Sequence, residues 1–228
     1  MKTVVFDLDG TLADTSADLI SAANFCFDSL GYPKLLDCKE DAGVAMRGGR
    51  AMLELGCQKI GLNDEQFIHQ QYPILLNAYS KSLDKHTEFF PHALDSIRQL
   101  QLLGVNSAIC TNKPSALAEE LMVRLGARHL FQELIGSDTL SSKKPDPAPF
   151  IAAVTGSGGI VEQSLMVGDT STDFDTAKAV GVPIIMVDFG FAGFDFSASK
   201  PDAILKSFLD LPELSLIHIS EPTRRYAI

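Results

Sequence analysis

The chain has 228 residues, 46% hydrophobic and 21% charged, with a formal net charge of −10; this is a globular balance with enough apolar residues for a sizeable core. An acidic chain without a Lys/Arg-rich block lacks the electrostatic footprint of nucleic-acid binding, and its apolar runs are too short and too broken by charges for a membrane span. The N-terminus opens into a strand rather than a signal peptide, and Cys26, Cys38, Cys57 and Cys110 lack metal-type spacing. Reduced, mostly buried thiols and a cytoplasmic location are expected.

Residues 4–12, Val-Val-Phe-Asp-Leu-Asp-Gly-Thr-Leu, read as a buried strand that ends in two carboxylates and a glycine. Strand alternation puts Asp7 and Asp9 on one face, with Phe6 and Leu8 on the other. Carboxylates at the mouth of an apolar core are costly unless they are neutralised or matched by a cation. An Asp-Gly turn with Asp9 as a cap explains this segment alone equally well. From Thr15 to about Tyr79 the spacing turns helical. Leu19, Ala22, Ala23, Cys26, Phe27 and Leu30 form a stripe that stops at Gly31 and Pro33, and further helical patterns cover 49–60 and 64–79.

Strand and helix then alternate. Helices are predicted over His92–Leu103, Pro114–Leu125, Pro147–Val154 and Thr172–Val180, and strands over Val105–Cys110, Glu133–Gly136, Leu165–Val167 and Pro183–Val187. This order predicts an α/β fold, a doubly wound parallel sheet with helices on both faces, whose ligands bind beyond the carboxyl ends of the strands. A terminal helix is expected at 202–210. The stretch after Leu214 shows neither periodicity nor a partner element, so 215–228 reads as a non-native tail. The expected organisation is a core of 1–14 and 86–214 with a helical domain at 15–85.

Two further strand ends repeat the oddity of the first, and a lysine segment lies between them. The strand at 105–110 ends in Thr111-Asn112 and that at 165–167 in Gly168-Asp169, with Asp173 close behind; Lys143-Lys144-Pro145-Asp146-Pro147 lies between them. Each piece alone suits a turn, a solvated lysine or a helix cap. Their joint occurrence at successive strand ends points to one crevice. Carboxylates converging there would repel one another unless a divalent cation sat among them, and an all-oxygen set without His or Cys suits Mg²⁺. A phosphate at that metal would be matched by a lysine and by hydroxyl and backbone donors, one carboxylate could attack phosphorus, and another could move the proton.

Asp7-Leu8-Asp9-Gly10-Thr11-Leu12, Thr111-Asn112, Lys144-Pro145 and Gly168-Asp169 with Asp173 resemble, in order, the four motifs of the haloacid dehalogenase superfamily, over residues 3 to about 210. The resemblance implies a Rossmann-like core with an inserted helical cap. It implies that Asp7 is the nucleophile and a Mg²⁺ ligand, and that Asp9 is the general acid/base with its backbone carbonyl on the metal. Thr111, Gly10 and the Asn112 backbone would hold the phosphoryl group, Lys144 would stabilise its charge and that of Asp7, Asp169 would bind Mg²⁺, and Asp173 would support the site as ligand or through water. An acid at position 9 favours phosphoryl transfer over dehalogenation.

The nearest branch resembles phosphoglycolate phosphatases, although His92 stands where these carry Gly. The implied function is hydrolysis of small phosphorylated metabolites, 2-phosphoglycolate first, by a monomer or homodimer. A β-phosphoglucomutase-like phosphomutase or a non-catalytic phosphate-binding member are the alternatives. Within the helical block, Arg47 and Arg50 with Gly48 and Gly49 suit a turn presenting cations to the substrate, or equally a solvated loop.

Overall fold

The computed structural model describes residues 1–28, 30–32, 34–191 and 193–220. The chain begins with β1 (Thr3–Phe6) and a two-residue strand β2 (Ala13–Asp14), then runs through helices α1 (Ser16–Asp28), α2 (Ala42–Ala45), α3 (Gly49–Lys59) and α4 (Glu65–Lys81) before returning in β3 (Glu88–Phe89). Next come α5 (Ala93–Leu102), β4 (Asn106–Cys110), α6 (Ser115–Arg124), β5 (Glu133–Ile135), α7 (Pro147–Gly156), β6 (Ser164–Gly168), α8 (Ser171–Val180), β7 (Ile184–Val187), β8 (Ala203–Leu205) and α9 (Leu211–Ser220).

Six strands pair in parallel in the order β5-β4-β1-β6-β7-β8. Parallel strands need crossovers, and the helices that supply them cover both faces. Alternation along β1 divides the core accordingly. Val4 and Phe6 face the layer containing Ile97, Leu121 and Leu211, while Val5 faces Phe150, Ala153 and Ala177. Because the strand order reverses at β1, the crevice at its carboxyl end lies at a topological switch point.

The helical block is tied in by its two linkers. Ala13 and Asp14 pair antiparallel with Phe89 and Glu88. Buried Asp18 accepts three hydrogen bonds at Oδ2 from the returning linker, from the backbone amides of His86 and Thr87 and the Thr87 hydroxyl, each 2.9 Å. Asp14 Oδ1 caps α1 through Ser16 N (3.0 Å) and Oγ (2.6 Å). Charge at these positions therefore fastens the base of the block.

Two expectations for the C-terminal part are overturned. Residues 202–210 form edge strand β8 and a 3₁₀ turn, Phe208–Asp210, rather than a helix. The Asp202 carboxylate accepts from Ile184 N at 2.9 Å, and Leu205 O accepts from Asp188 N at 3.1 Å; an available sheet edge outweighs local helical preference in so short a segment. The stretch after Leu214 has a partner element after all. α9 buries Leu211, Ser215 and Ile219 on one face, a spacing whose middle polar member hides it from hydropathy. Residues 221–228 and Pro33 lie outside the described residues.

His92, the N-terminal boundary of α5, is exposed and has φ 65°, ψ 4°, the left-handed region. That conformation costs a non-glycine residue about 1–2 kcal/mol, less for His than for a β-branched residue. Glycine there would relieve this strain and offset part of the gain through unfolded-chain entropy. Replacement of His92 by Gly is therefore expected to stabilise the fold by roughly 0.5 kcal/mol and His92→Val to destabilise it by about 1–2 kcal/mol, as read from urea midpoints.

Candidate active site

The carboxyl ends of β1 and β6 and the first turn of α8 bring Asp7, Asp169 and Asp173 together, with one carboxylate oxygen of each within 4.8 Å of the others. All three are buried. One ammonium stands among them. Lys144 Nζ lies 2.9 Å from Asp7 Oδ1 and 2.6 Å from Asp173 Oδ1. Asp173 Oδ2 is taken up by Thr170, through its amide (3.1 Å) and hydroxyl (2.7 Å). Asp169 Oδ1 accepts from the Thr11 hydroxyl at 2.8 Å, while its buried Oδ2 has no hydrogen-bond partner among the described residues. Lys144 rather than Lys143 is thus the lysine set against the carboxylates.

The electrostatics follow from three acids facing one cation. Burial pushes Asp7 up to about 6; Lys144 pulls it down, while Asp173 and Asp9 add repulsion. Burial, then Asp7 and Asp173, hold Asp169 well above the usual carboxylate range. Burial works against the charge on Lys144, but Asp173 and Asp7 outweigh it and keep its pKa raised. The all-oxygen donor set and the orphaned Asp169 Oδ2 fit a hard divalent cation such as Mg²⁺. Since both Asp173 oxygens are engaged, Asp7 and Asp169 are the carboxylates best placed to hold it.

Gly10, at φ 82°, passes so close that a Cβ there would sit 2.3 Å from Asp169 Oδ2. A side chain at that position would displace the carboxylate. A Cβ on Gly168 would likewise lie 2.3 Å from the Asp173 Cβ.

The Asp9 side chain stands apart from this cluster, which leaves only its backbone carbonyl for the expected part in metal binding. Its Oδ1 and Oδ2 lie 2.7 and 2.9 Å from Lys113 Nζ, and Oδ1 also accepts from the Thr15 hydroxyl at 2.7 Å. Lys113 and Thr15 carried no functional assignment in the sequence reading. The signal available was a long cation set in Thr111-Asn112-Lys113-Pro114; its partner, 104 positions away, was not readable.

Thr111 is buried, and its Oγ1 accepts from Lys113 N at 3.2 Å. The Asn112 side chain donates to Lys144 O at 3.0 Å, tying the β4 end to the lysine loop. Thr111, Asn112 and Lys144 line a cavity of about 580 Å³ that also takes in Asp7, Asp9, Arg47 and Arg50. The two arginines differ. Arg50 is paired with Glu54 at 3.1 Å and with Glu65, whereas Arg47 has no ion pair among the described residues. Cys110, beside the site, is buried with its thiol pushed up to about 12 by that burial, which keeps it unreactive.

The carboxylate repulsion sets a pH dependence. Asp7 and Asp169 hold protons more tightly in the fold than their ordinary 3.8. The folded state therefore binds more protons than the unfolded chain, and stability falls as pH rises from about 4 through 6 and beyond. In chelator at pH 7.5, Asp169→Asn is expected to raise stability and to remove stabilisation by added Mg²⁺. Thermal melts with and without Mg²⁺ check both, and destabilisation by Asp169→Asn in chelator would contradict the repulsion.

Comparison with known proteins agrees with this geometry. Residues 4–187 match the family model of the haloacid dehalogenase-like hydrolases. A phosphoglycolate phosphatase of Mesorhizobium japonicum is 34% identical over 210 residues, covering 90% of each chain. One of Caulobacter vibrioides is 32% identical over 217 residues, covering 92% of this chain and 89% of that protein. Among solved structures, one from Haemophilus somnus, assigned by prediction as a phosphoglycolate phosphatase, superposes with a TM-score of 0.82 at 25% identity, over 94% of this chain and 98% of that one. With its four motifs gathered at one crevice and the family model spanning most of its length, this chain belongs to the haloacid dehalogenase-like hydrolases.

Proposed function

We propose that the protein is a Mg²⁺-dependent phosphatase of small phosphate monoesters that works through a phosphorylated Asp7, with 2-phosphoglycolate as its substrate. The observation that carries this reading is the buried group of Asp7, Asp169 and Lys144 at the switch point of the sheet. The phosphoglycolate phosphatases aligned along about nine-tenths of the chain support the choice of substrate.

Asp7 and Asp169, with the Asp9 backbone carbonyl, would hold Mg²⁺, which when bound supplies charge neutralisation of the phosphoryl oxygens. Lys144 balances the charge of Asp7 and of the transferring group, and Thr111 with the Asn112 and Gly10 backbone positions that group for in-line attack. The Asp7 carboxylate forms a bond to phosphorus as the ester P–O bond breaks, and Asp9 delivers a proton to the departing oxygen. Asp9, now ionised, takes a proton from water. The water oxygen bonds to phosphorus, and phosphate leaves Asp7 as a free carboxylate.

Helices α1–α4, within 15–85, act as the cap over the core of 1–14 and 86–214, excluding water during the transfer. Met46 reaches down from this block: a Cβ on Gly10 would lie 2.7 Å from its sulfur. Arg47, unlike Arg50, offers the cavity a cation that is paired with no carboxylate among the described residues.

Asp7→Asn should abolish turnover at unchanged folding, and a panel of phosphorylated metabolites assayed with and without Mg²⁺ should release inorganic phosphate only with the metal. Isomerised sugar phosphate without free phosphate would identify a phosphomutase instead. Arg47→Ala is expected to raise KM for 2-phosphoglycolate about tenfold with little change in kcat, the loss of one exposed charge-assisted contact.

A further inference from the structure

In this arrangement Asp9 is fully occupied. Both oxygens are held by Lys113 and one also by Thr15. To give a proton to a departing oxygen, Asp9 must turn away from that ammonium. Lys113 is only 6% exposed, and its Nζ lies 4.6 Å from the centroid of Tyr79, a buried residue of α4. Withdrawal of Asp9 alone would leave a buried ammonium without a counter-charge, which is strongly unfavourable. An incoming carboxylate could replace it at small cost, since one charge-assisted contact would be exchanged for another.

The cavity provides the path. Lys113, Asp9 and Tyr79 line it together with Asp7 and Thr111. The oxygen that Asp9 must protonate is the ester oxygen, so an anionic group borne on the adjacent carbon arrives beside Asp9 and within reach of its lysine. Arg47, in the helical block, lines the same cavity but forms no hydrogen bond or ion pair with Asp9 among the described residues.

Resting on the phosphatase reading above, we propose that Lys113 is a substrate-sensing lock on Asp9: an anionic group one carbon from the ester displaces Asp9 from Lys113, and the released carboxylate, no longer facing an ammonium, takes up a proton from solvent and hands it to the departing ester oxygen. Esters lacking that group bind through their phosphoryl end but leave Asp9 held. The enzyme thereby selects phosphorylated short hydroxy acids by kcat, not only by affinity. Tyr79 keeps the exchange dry by covering the ammonium from the helical block.

The test compares 2-phosphoglycolate with 2-hydroxyethyl phosphate, which replaces the carboxylate by a neutral CH₂OH on the same skeleton, in the full-length enzyme with Mg²⁺. The wild type should show a kcat ratio of roughly 100 or more in favour of the carboxylate. Lys113→Met should collapse that ratio to within a few-fold, and Lys113→Arg should retain most of it. Equal wild-type kcat for the two esters overturns the lock without recourse to any variant. So does a folded Lys113→Met enzyme that loses activity on both esters in equal proportion, since a merely structural lysine would behave in that way. Failure of the wild type to hydrolyse either ester removes the phosphatase reading itself, and the lock with it.

Discussion

Three buried carboxylates, Asp7, Asp169 and Asp173, are set around one lysine, and this excess of negative charge governs the chemistry of the crevice. One ammonium cannot neutralise three acids in a low-dielectric pocket, so Asp7 and Asp169 are pushed toward protonation. A second cation would resolve the imbalance, and the donors left facing the crevice are the hard oxygens such an ion prefers. Without bound metal the fold carries the unfavourable term, an instance of stability exchanged for function at a preorganised site.

The backbone around the site is arranged to hold this charge in place. β1 lies in the middle of the sheet and is buried on both faces, so Asp7 begins from a rigid base. Asn112 fastens the end of β4 to the carbonyl of Lys144, Thr170 fastens Asp173, and Thr11 fastens Asp169. Each carboxylate thus keeps one oxygen in a fixed contact, which sets where the other points. The helical block is anchored by Asp18 at its linkers and meets the core again where Gly43 of α2 leaves no room for a side chain against the Phe191 carbonyl.

Much of this was legible in the residue order. Val-Val-Phe-Asp-Leu-Asp-Gly betrays its purpose because charge at the end of an apolar strand is expensive, and Gly168-Asp169 repeats the pattern. The α/β alternation from 92 to 187 follows from period and punctuation. β8 and α9 escaped because they are short and gain their stability from neighbours, β7 in one case and α5 in the other. At His92 the resemblance pointed to a glycine position, but histidine itself carries no local signal of a positive φ, so only the structure shows its left-handed backbone.

The sequence by itself determined which chemical groups stand at the strand ends, since alternation and turn chemistry are local and act through adjacent residues. It also determined that an oxygen-only, metal-demanding site was the economical explanation for them. Tertiary structure alone decided the remaining pairings: that Lys144 also faces Asp173, that among the described residues Arg50 is paired with glutamates while Arg47 has no ion pair, and that Asp9 is held by Lys113 beneath Tyr79. These are contacts between residues far apart in the chain, set by packing of the helical block on the sheet, and no local pattern encodes which cation meets which carboxylate.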